Sequence, residues 1–391
     1  MGTTKKQHYV PRVYLKAWET SVTTDQEPNK QIQGVYRLDH DEKRGHGTPI
    51  TAVLWESRLY TVDFAHSYIT QSCPKILADF VEQIYEILRI KRTPPVYGKL
   101  GYSVIKTKSS IRKHLQEIDQ WDFFYDTGDR ARKNAILNDI HAINSYLIED
   151  GLDSHFETHW QSLLEQFITE MNSEESGIDR KSERHISMET AKDMLAFFFM
   201  MLCRNPRFDG TGIYSWIRDD ILLPAFRGES NTQSGESNGN EIEGWADDFI
   251  DGLWYAELYR MLYKNKGGHF HTFLDIGSQR LQMILFEAYS DAGDFITSDN
   301  PAFQYHSVPE SKNMNGYIFP LSPKYLLFIG SGNLPINIVD MRYADRTTVA
   351  YFNQAISETK FKRSFRVTGT YRNGCHSQLR RKKNVRRTHT I

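Results

Sequence analysis

The chain has 391 residues, of which 39% are hydrophobic and 25% charged, with a formal net charge of −1 at pH 7. This length exceeds the usual size of one domain, so we expect two or three packed subdomains. The sequence lacks an apolar run of roughly 18 residues, which argues against a membrane span. It also lacks an apolar segment behind the N-terminal lysines and closely spaced cysteines, which argues against a signal peptide and a disulfide framework. These features predict a cytoplasmic protein.

The net charge conceals an uneven distribution along the chain. Residues 360–391 hold eleven Lys or Arg and no Asp or Glu, whereas residues 1–359 hold 37 basic and 49 acidic residues. A basic tail attracts phosphates whatever their sequence, so nucleic acid is an expected partner. The alternative interpretation is a solvated, partly disordered end that offsets the acidity of the body. The tail residues assigned to nucleic-acid binding are Arg380, Arg381, Lys382, Lys383, Arg386 and Arg387.

The opening segment, 7–18, is rich in large apolar and aromatic side chains, whereas chain ends are usually loose and polar. Burial of these side chains would carry His8 and Arg12 into the interior with them. We therefore expect the segment to insert as an ordered piece between a helical core and the late strands, where it pairs with residues 297–301.

The first hundred residues are predicted to form mainly short strands and turns. Apolar and polar residues alternate over 33–38 and, less regularly, over 51–62, with a turn-rich stretch between them. From 72 to 92 the apolar residues recur at helical spacing, and two prolines end that predicted helix at 94–95.

Two helices dominate the prediction for the middle of the chain. Ser154 and Glu157 have the spacing of a capping box, in which each side chain satisfies a free backbone N–H at a helix start, and the apolar pattern behind them predicts a helix over 155–172. Ser187 is predicted to cap a second helix that reaches Leu202. Because that helix is apolar on all sides, we expect it at the centre of the core.

The second helix is predicted to end at Pro206, which leaves Arg204 and Arg207 on either side of the break. Residues 228–244 are rich in Ser, Asn, Gly and Glu without a hydrophobic period, and this predicts a mobile surface loop. The helical pattern resumes over 245–263.

The last third of the body is predicted to mix strands and a helix. His269-Phe270-His271, after two glycines, indicates the start of a strand, and 294–301 indicates a short buried strand that ends in a polar turn. Further strands are predicted over 317–321 and 325–330, and a final helix over 342–359.

The order of these elements predicts an α+β class, with a strand-rich N-terminal part, a helical central core and a mixed C-terminal sheet with a flanking helix. The corresponding segments are 1–100, 101–265 and 266–359, followed by the basic tail, 360–391.

Four short motifs stand in order over about 300 residues: His8-Tyr9-Val10-Pro11-Arg12-x-Tyr14-Leu15, Glu56-x-x-Leu59-Tyr60, Arg204-x-Pro206 and Thr297-Ser298-Asp299-Asn300-Pro301. In this combination they resemble the bacterial domain-of-unknown-function 4238 family. The resemblance implies a shared fold and supplies no substrate. It also implies an association with mobile or defence-associated gene neighbourhoods, and hence with antiviral defence.

A histidine, carboxylates and arginines form the candidate catalytic set. A phosphodiester-cleaving site uses carboxylates to hold a divalent cation such as Mg²⁺ or to activate water, a histidine to move a proton, and arginines to offset transition-state charge. The residues assigned to catalysis are His8, Arg12, Glu157 and Asp299, and those assigned to substrate binding are Tyr9, Arg204, Arg207 and Asn300.

Several of these residues also have a structural interpretation. His8 would be a buried, hydrogen-bonded histidine, and Asp299 or Asn300 would form an Asx turn. Glu157 would act only as a helix cap, and an arginine such as Arg204 would satisfy free carbonyls at a helix end.

Three functional hypotheses follow. The first is a nuclease-like enzyme that acts on nucleic acid or a nucleotide, although recognised nuclease spacings and a zinc ligand set are missing. The second is a non-catalytic protein in which Tyr9, Tyr14 and Trp18 close a pocket for a ligand or partner. The third is an NAD-using nucleotide-modifying transferase, for which a Gly-rich phosphate loop is missing. For an enzyme, we expect His8 and Arg12 to converge with Arg204 and Asp299 in one cleft.

Overall fold

The computed structural model describes residues 6–39, 45–57, 59–61, 74–173, 182–205, 213–224, 238–263, 267–306, 315–359 and 363–366. These residues form two compact units, each made of segments that are far apart in the sequence. The first unit comprises the described residues within Met1–Gln7, Ser57–His155 and Pro206–His271. The second comprises those within His8–Glu56, Phe156–Asn205 and Thr272–Ile391.

Strands and helices follow the predicted α+β order, with strands early, helices in the middle and a mixed sheet late. The strands are β1 (Lys6–His8), β2 (Thr20–Thr23), β3 (Gln31–Asp39), β4 (His46–Thr48), β5 (Trp55–Ser57), β6 (Val96–Leu100), β7 (Ser103–Ile105), β8 (Asp122–Tyr125), β9 (Glu183–His185), β10 (Leu281–Ala288), β11 (Thr297–Ser298), β12 (Phe303–His306), β13 (Asn315–Pro320), β14 (Tyr325–Ser331), β15 (Ile338–Ala344) and β16 (Arg363–Arg366). The α-helices are α1 (Arg12–Leu15), α2 (Pro74–Tyr85), α3 (Lys108–Lys113), α4 (Lys133–His155), α5 (Trp160–Asn172), α6 (Met188–Cys203), α7 (Ile213–Trp216), α8 (Asn238–Tyr263), α9 (Gly268–Arg280) and α10 (Arg346–Thr359).

The first unit contains a small antiparallel sheet in the strand order β7-β6-β8. Its register places Tyr97 opposite Phe124 and Lys99 opposite Val104. Gly98 faces the Trp121 ring so closely that an added Cβ would lie 2.7 Å from it, so a larger residue would displace the indole. The strands of this sheet are only three to five residues long, and local sequence patterns do not predict it.

The second unit is organised by a six-stranded sheet in the order β12-β13-β14-β10-β15-β9. The pairing of β10 with β15 is parallel, and β10 pairs with β14 in antiparallel register. On one face, Phe286 packs against Phe352 of α10 with ring centroids 4.9 Å apart. On the other face, the ring centroid of Phe319 lies 5.9 Å from that of Phe198 in α6. Because both faces are covered, the buried strands are apolar in nearly every position.

Helix α6 confirms the predicted core helix and its cap. The Ser187 hydroxyl accepts a hydrogen bond from the Thr190 N–H at 3.0 Å. Glu170 of α5 strengthens this start, because its carboxylate accepts from the Ser187 N–H at 2.7 Å and from the Thr190 hydroxyl at 2.8 Å. Eleven of the sixteen residues of α6 are buried, as expected of a central helix.

The predicted capping box at Ser154 and Glu157 is wrong. Ser154 lies inside α4 and its hydroxyl donates to the Gly151 carbonyl at 3.3 Å, while α5 starts only at Trp160 after a 3-10 turn at Glu157–His159. The physical reason is that the Glu157 carboxylate accepts a hydrogen bond from Arg204. The helix predicted over 155–172 is therefore observed over its last thirteen residues.

The predicted strand start at His269–His271 is also wrong, since these residues lie in α9. The buried Glu257 carboxylate accepts from the Phe270 N–H at 2.9 Å and so satisfies the start of that helix. The final helix begins at Arg346 and not at Arg342, because residues up to Ala344 complete β15.

In the region of the predicted loop 228–244, α8 already begins at Asn238, and residues 228–237 lie outside the described residues. Within the described part of the chain, no helix combines the length and apolarity that crossing a membrane requires.

Candidate active site

The C-terminal end of α6 places an arginine in the interior of the second unit. Arg204 is the residue that ends the helix, and its backbone N–H still bonds back to the Met200 carbonyl at 2.9 Å. Only 2% of Arg204 is exposed. A guanidinium at this depth needs hydrogen-bond acceptors around it, because removing an unpaired charge from water is very unfavourable.

Two acceptors come from segments that are distant in the sequence. Nη1 of Arg204 donates to Oε1 of Glu157 at 2.8 Å, and Nη2 donates to the backbone carbonyl of His8 at 2.6 Å. The Sδ atom of Met200 lies 3.8 Å from Nη1. Arg204 thus joins the opening segment to the turn before α5, and it brings three of the predicted site residues together.

The next residue, Asn205, extends this polar group to the segment 297–300. Its side-chain amide donates to Oδ1 of Asn300 at 3.2 Å. Within the segment, the Ser298 hydroxyl accepts from the Asn300 N–H at 3.1 Å and lies 3.0 Å from the Asn300 carbonyl, so Ser298 supports the polar turn. The Asn300 amide in turn donates to the carbonyl of Thr359 at 3.3 Å.

Most of the buried polar side chains of the described residues belong to this cluster. Among the described residues, eight polar or charged side chains are classed as buried, and five of them lie at 204–205 and 297–299. Asp299, at 1% exposure, is the buried carboxylate of the group. The five residues are Arg204, Asn205, Thr297, Ser298 and Asp299.

Two aromatic side chains of the opening segment form hydrogen bonds with β11, with the residue two positions before it, and with the end of β13. The Tyr14 hydroxyl donates to the Pro320 carbonyl at 2.7 Å and lies 2.8 Å from Oγ1 of Thr297, while Nε1 of Trp18 donates to the Phe295 carbonyl at 3.0 Å. Burial raises the pKa of Tyr14 strongly, and the Thr297 hydrogen bond offsets only part of this rise. The predicted pairing of the opening segment with residues 297–301 is confirmed by the bond between Tyr14 and Thr297.

The remaining predicted site residues lie in different environments. His8 and Tyr9 are half-buried, and the Tyr9 N–H donates to the Leu54 carbonyl at 3.1 Å. Arg12 is exposed on α1, so its side chain is not part of the buried cluster. Arg207 and the six tail residues, Arg380, Arg381, Lys382, Lys383, Arg386 and Arg387, lie outside the described residues.

Asn205 was missed by the sequence analysis, although it occupies the open position of the Arg204-x-Pro206 motif. A second polar residue directly after Arg204, beyond the wholly apolar run 194–203, is the signal that would have identified it. Within the described ranges, no group of three or more His, Cys, Asp or Glu side chains is arranged to hold a metal ion.

A family model described as "Protein of unknown function (DUF4238)" matches residues 6–359. This range includes every residue of the polar cluster. Searches of curated proteins and of solved structures give no match for this chain.

Proposed function

The chain belongs to the DUF4238 family, and because that description names no reaction, we propose from the chain's own residues that it is a phosphodiester-cleaving enzyme acting on nucleic acid or a nucleotide. The observation that supports this function is the buried cluster of Arg204, Asn205 and residues 297–299. Burying polar and charged groups opposes folding. Buried ionisable groups with specific charge partners cluster at functional sites, so such a group is a candidate site.

The residue types in and beside the cluster suit the hydrolysis of a phosphodiester. In the proposed step, the Asp299 carboxylate takes a proton from water as the water oxygen attacks phosphorus. The bond from phosphorus to the leaving oxygen breaks, and the His8 imidazolium donates its proton to that oxygen. The Arg204 guanidinium offsets the negative charge that develops. Glu157 holds Arg204 in place and is therefore a positioning residue.

One specific observation favours a second candidate, a non-catalytic recognition protein. Arg204 donates to a backbone carbonyl and to Glu157, which is also what a structural clamp on the opening segment requires. In that case the pocket predicted behind the aromatic residues would depend on Tyr9, because Tyr14 and Trp18 are completely buried.

A cleavage assay on the full-length protein separates the two candidates. We expect the wild type to cleave labelled single-stranded RNA or DNA, duplex DNA or a dinucleotide, in parallel reactions with Mg²⁺, with Mn²⁺ and with EDTA. Asp299→Asn and His8→Gln should each reduce the rate by about 10²- to 10⁴-fold, the usual contribution of a general base or acid. Asp291→Asn and His271→Gln are the matched controls, because Asp291 is exposed and His271, which lies 3.3 Å from the Arg260 carbonyl, is outside the buried cluster.

Thermal unfolding of each variant is recorded beside the assay, so that a lost fold is not mistaken for a lost catalytic group. Wild type that cleaves none of these substrates, or equal rates in wild type, Asp299→Asn and His8→Gln, would reject the enzyme and leave the recognition protein as the better account. Arg12→Gln should leave the rate unchanged, since Arg12 lies outside the buried cluster.

A further inference from the structure

A second region of the chain is locally rich in basic residues, several of which form ion pairs with carboxylates from neighbouring segments. Residues 87–116 contain eight Lys or Arg and no Asp or Glu, in a chain whose first 359 residues are acidic overall. The basic residues are Arg89, Lys91, Arg92, Lys99, Lys106, Lys108, Arg112 and Lys113. This stretch lies in the first unit and includes two of the three strands of the small sheet β7-β6-β8.

One face of this sheet carries aromatic rings beside lysines. Tyr97 and Phe124 are cross-strand neighbours, with ring centroids 5.8 Å apart and an interplanar angle of 27°. Nζ of Lys106 lies 4.1 Å from the centroid of the Tyr97 ring. By register, Lys99 stands on the same face as Tyr97, whereas the alternate residue Gly98 points toward the buried Trp121.

The same face and its hairpin tip expose further apolar surface. Val104, opposite Lys99, is 52% exposed, and Tyr102, beside the turn at Gly101, is fully exposed. Large apolar side chains exposed together on one small sheet are typical of a binding surface.

The acidic residues on this face are already paired. Asp126 accepts two hydrogen bonds of 2.9 Å from Arg89 and lies 3.3 Å from Nζ of Lys106. Asp122 accepts from Arg130 at 2.7 Å. The face, which we call the β6 face and define by Tyr97, Lys99, Val104, Lys106 and Phe124, therefore keeps a positive balance.

We propose that the β6 face binds single-stranded nucleic acid. Unpaired bases stack on Tyr97 and Phe124, because every base has a π-face to offer, and the phosphates are drawn to Lys99 and Lys106. A duplex is a poorer ligand, since its bases are already stacked on one another. That this ligand is also the substrate rests on the proposed phosphodiester cleavage. Its binding, however, is measured without any cleavage.

The experiment measures the fluorescence anisotropy of labelled oligo-dT and oligo-rU, with a duplex of equal length for comparison. It uses the full-length protein carrying Asp299→Asn, with the six basic tail residues at 380–387 also replaced by Gln. Cleavage and that basic cluster then contribute nothing to the measured binding. Tyr97→Leu and Phe124→Leu should each weaken binding by about 5- to 150-fold, the loss of one base stack. Replacing Lys99 and Lys106 by Gln should lower the slope of log affinity against log salt by about 1.4 for a single strand.

Matched controls come from a second exposed aromatic pair, and from a lysine beside another tyrosine, in the other unit. Tyr289 and Tyr343 stack at 5.3 Å and 12°, and Nζ of Lys324 lies 5.2 Å from the Tyr325 ring. Tyr289→Leu, Tyr343→Leu and Lys324→Gln should leave the affinity unchanged.

Three outcomes would overturn the proposal: no binding to either oligonucleotide in 50 mM salt, equal affinity for the duplex, or unchanged affinity in the β6-face variants. Heparin that competes as well as oligo-dT would do the same, because it carries charge without bases. If Tyr97→Leu unfolds the protein, the Lys99→Gln variant still decides, since Lys99 is exposed. Binding by a protein that proves to have no nuclease activity would keep this proposal and reject only the enzymatic one.

Discussion

Nη1 of Arg204 lies 2.8 Å from Oε1 of Glu157, which stands 47 residues earlier in the chain. The arginine is almost completely buried, whereas 17% of the Glu157 side chain is exposed. The pair therefore lies at the edge of the interior, where a carboxylate keeps contact with water while it compensates a buried cation. This arrangement makes the pair sensitive to the loss of either partner.

Replacing Arg204 by Met should lower the free energy of unfolding by about 3–5 kcal/mol, because the Glu157 carboxylate and the His8 carbonyl lose their buried donor. Urea denaturation at pH 7 measures this change. Arg12→Gln, on the exposed side of α1, is the control and should stay within about 0.5 kcal/mol of the wild type. A small effect of Arg204→Met would mean that the pair contributes little to the fold.

Replacing Tyr14 by Phe should destabilise the second unit by about 1–3 kcal/mol, since the Pro320 carbonyl and the Thr297 hydroxyl lose a buried partner. The difference from wild type should shrink above pH 10. Burial raises the pKa of Tyr14 in the folded chain, so the unfolded chain releases the phenol proton first as pH rises. Above pH 10 this group therefore lowers the free energy of unfolding of the wild type by up to about 1.4 kcal/mol per pH unit. Denaturation curves at pH 8, 10 and 11 test the trend, which a pH-independent difference would contradict.

Replacing Glu170 by Gln should weaken the start of α6 by about 1–3 kcal/mol at pH 7, because its carboxylate accepts charge-assisted hydrogen bonds. Burial alone would raise the pKa of Glu170, but hydrogen bonds from Gln166, Ser187 and Thr190 outweigh this effect and lower it. The stabilisation is therefore present above the pKa of an unfolded glutamate, about 4.3, and is lost as pH falls through the lower folded value. Unfolding at pH 7, 4 and 3 should show wild type and variant converging in acid.

Two neighbouring glycines at the start of α9 provide a matched steric test. Both have positive φ, +83° at Gly267 and +86° at Gly268. A Cβ at Gly268 would lie 2.7 Å from both carboxylate oxygens of Glu257, whereas one at Gly267 would meet nothing within 4 Å. Gly267→Ala should cost only the backbone strain, about 1–2 kcal/mol, and Gly268→Ala clearly more. Thermal unfolding of both variants checks the difference, and equal effects would show that Glu257 moves away freely.

Local patterns in the sequence were enough to predict several elements. The helix behind Ser187 and the strands near 317–321 and 325–330 occur as expected, because their apolar pattern and their caps lie within a few residues of one another. The α+β class follows from the order of such elements.

Where an element starts or a site contact forms through residues distant in the sequence, local patterns did not predict it. Glu157 stands at capping distance from Ser154, but its carboxylate is bonded to Arg204 on another helix. The helix at His269 depends on Glu257, thirteen residues earlier. In the candidate site, the residue types of His8, Glu157 and Arg204 were enough to predict each as a site residue. The contacts among them arise only when distant segments pack.

The hydrogen bonds of the opening segment also set a limit on when that segment can reach its final position during synthesis. Tyr14 and Trp18 bond to residues 277 to 306 positions further along the chain. At a ribosomal rate of about 5–20 residues per second, their last partner, Pro320, is made roughly 15 to 60 s after Tyr14. Throughout that interval several large aromatic side chains near the start of the chain lack their native neighbours, and transiently exposed apolar surface of this kind is prone to aggregation.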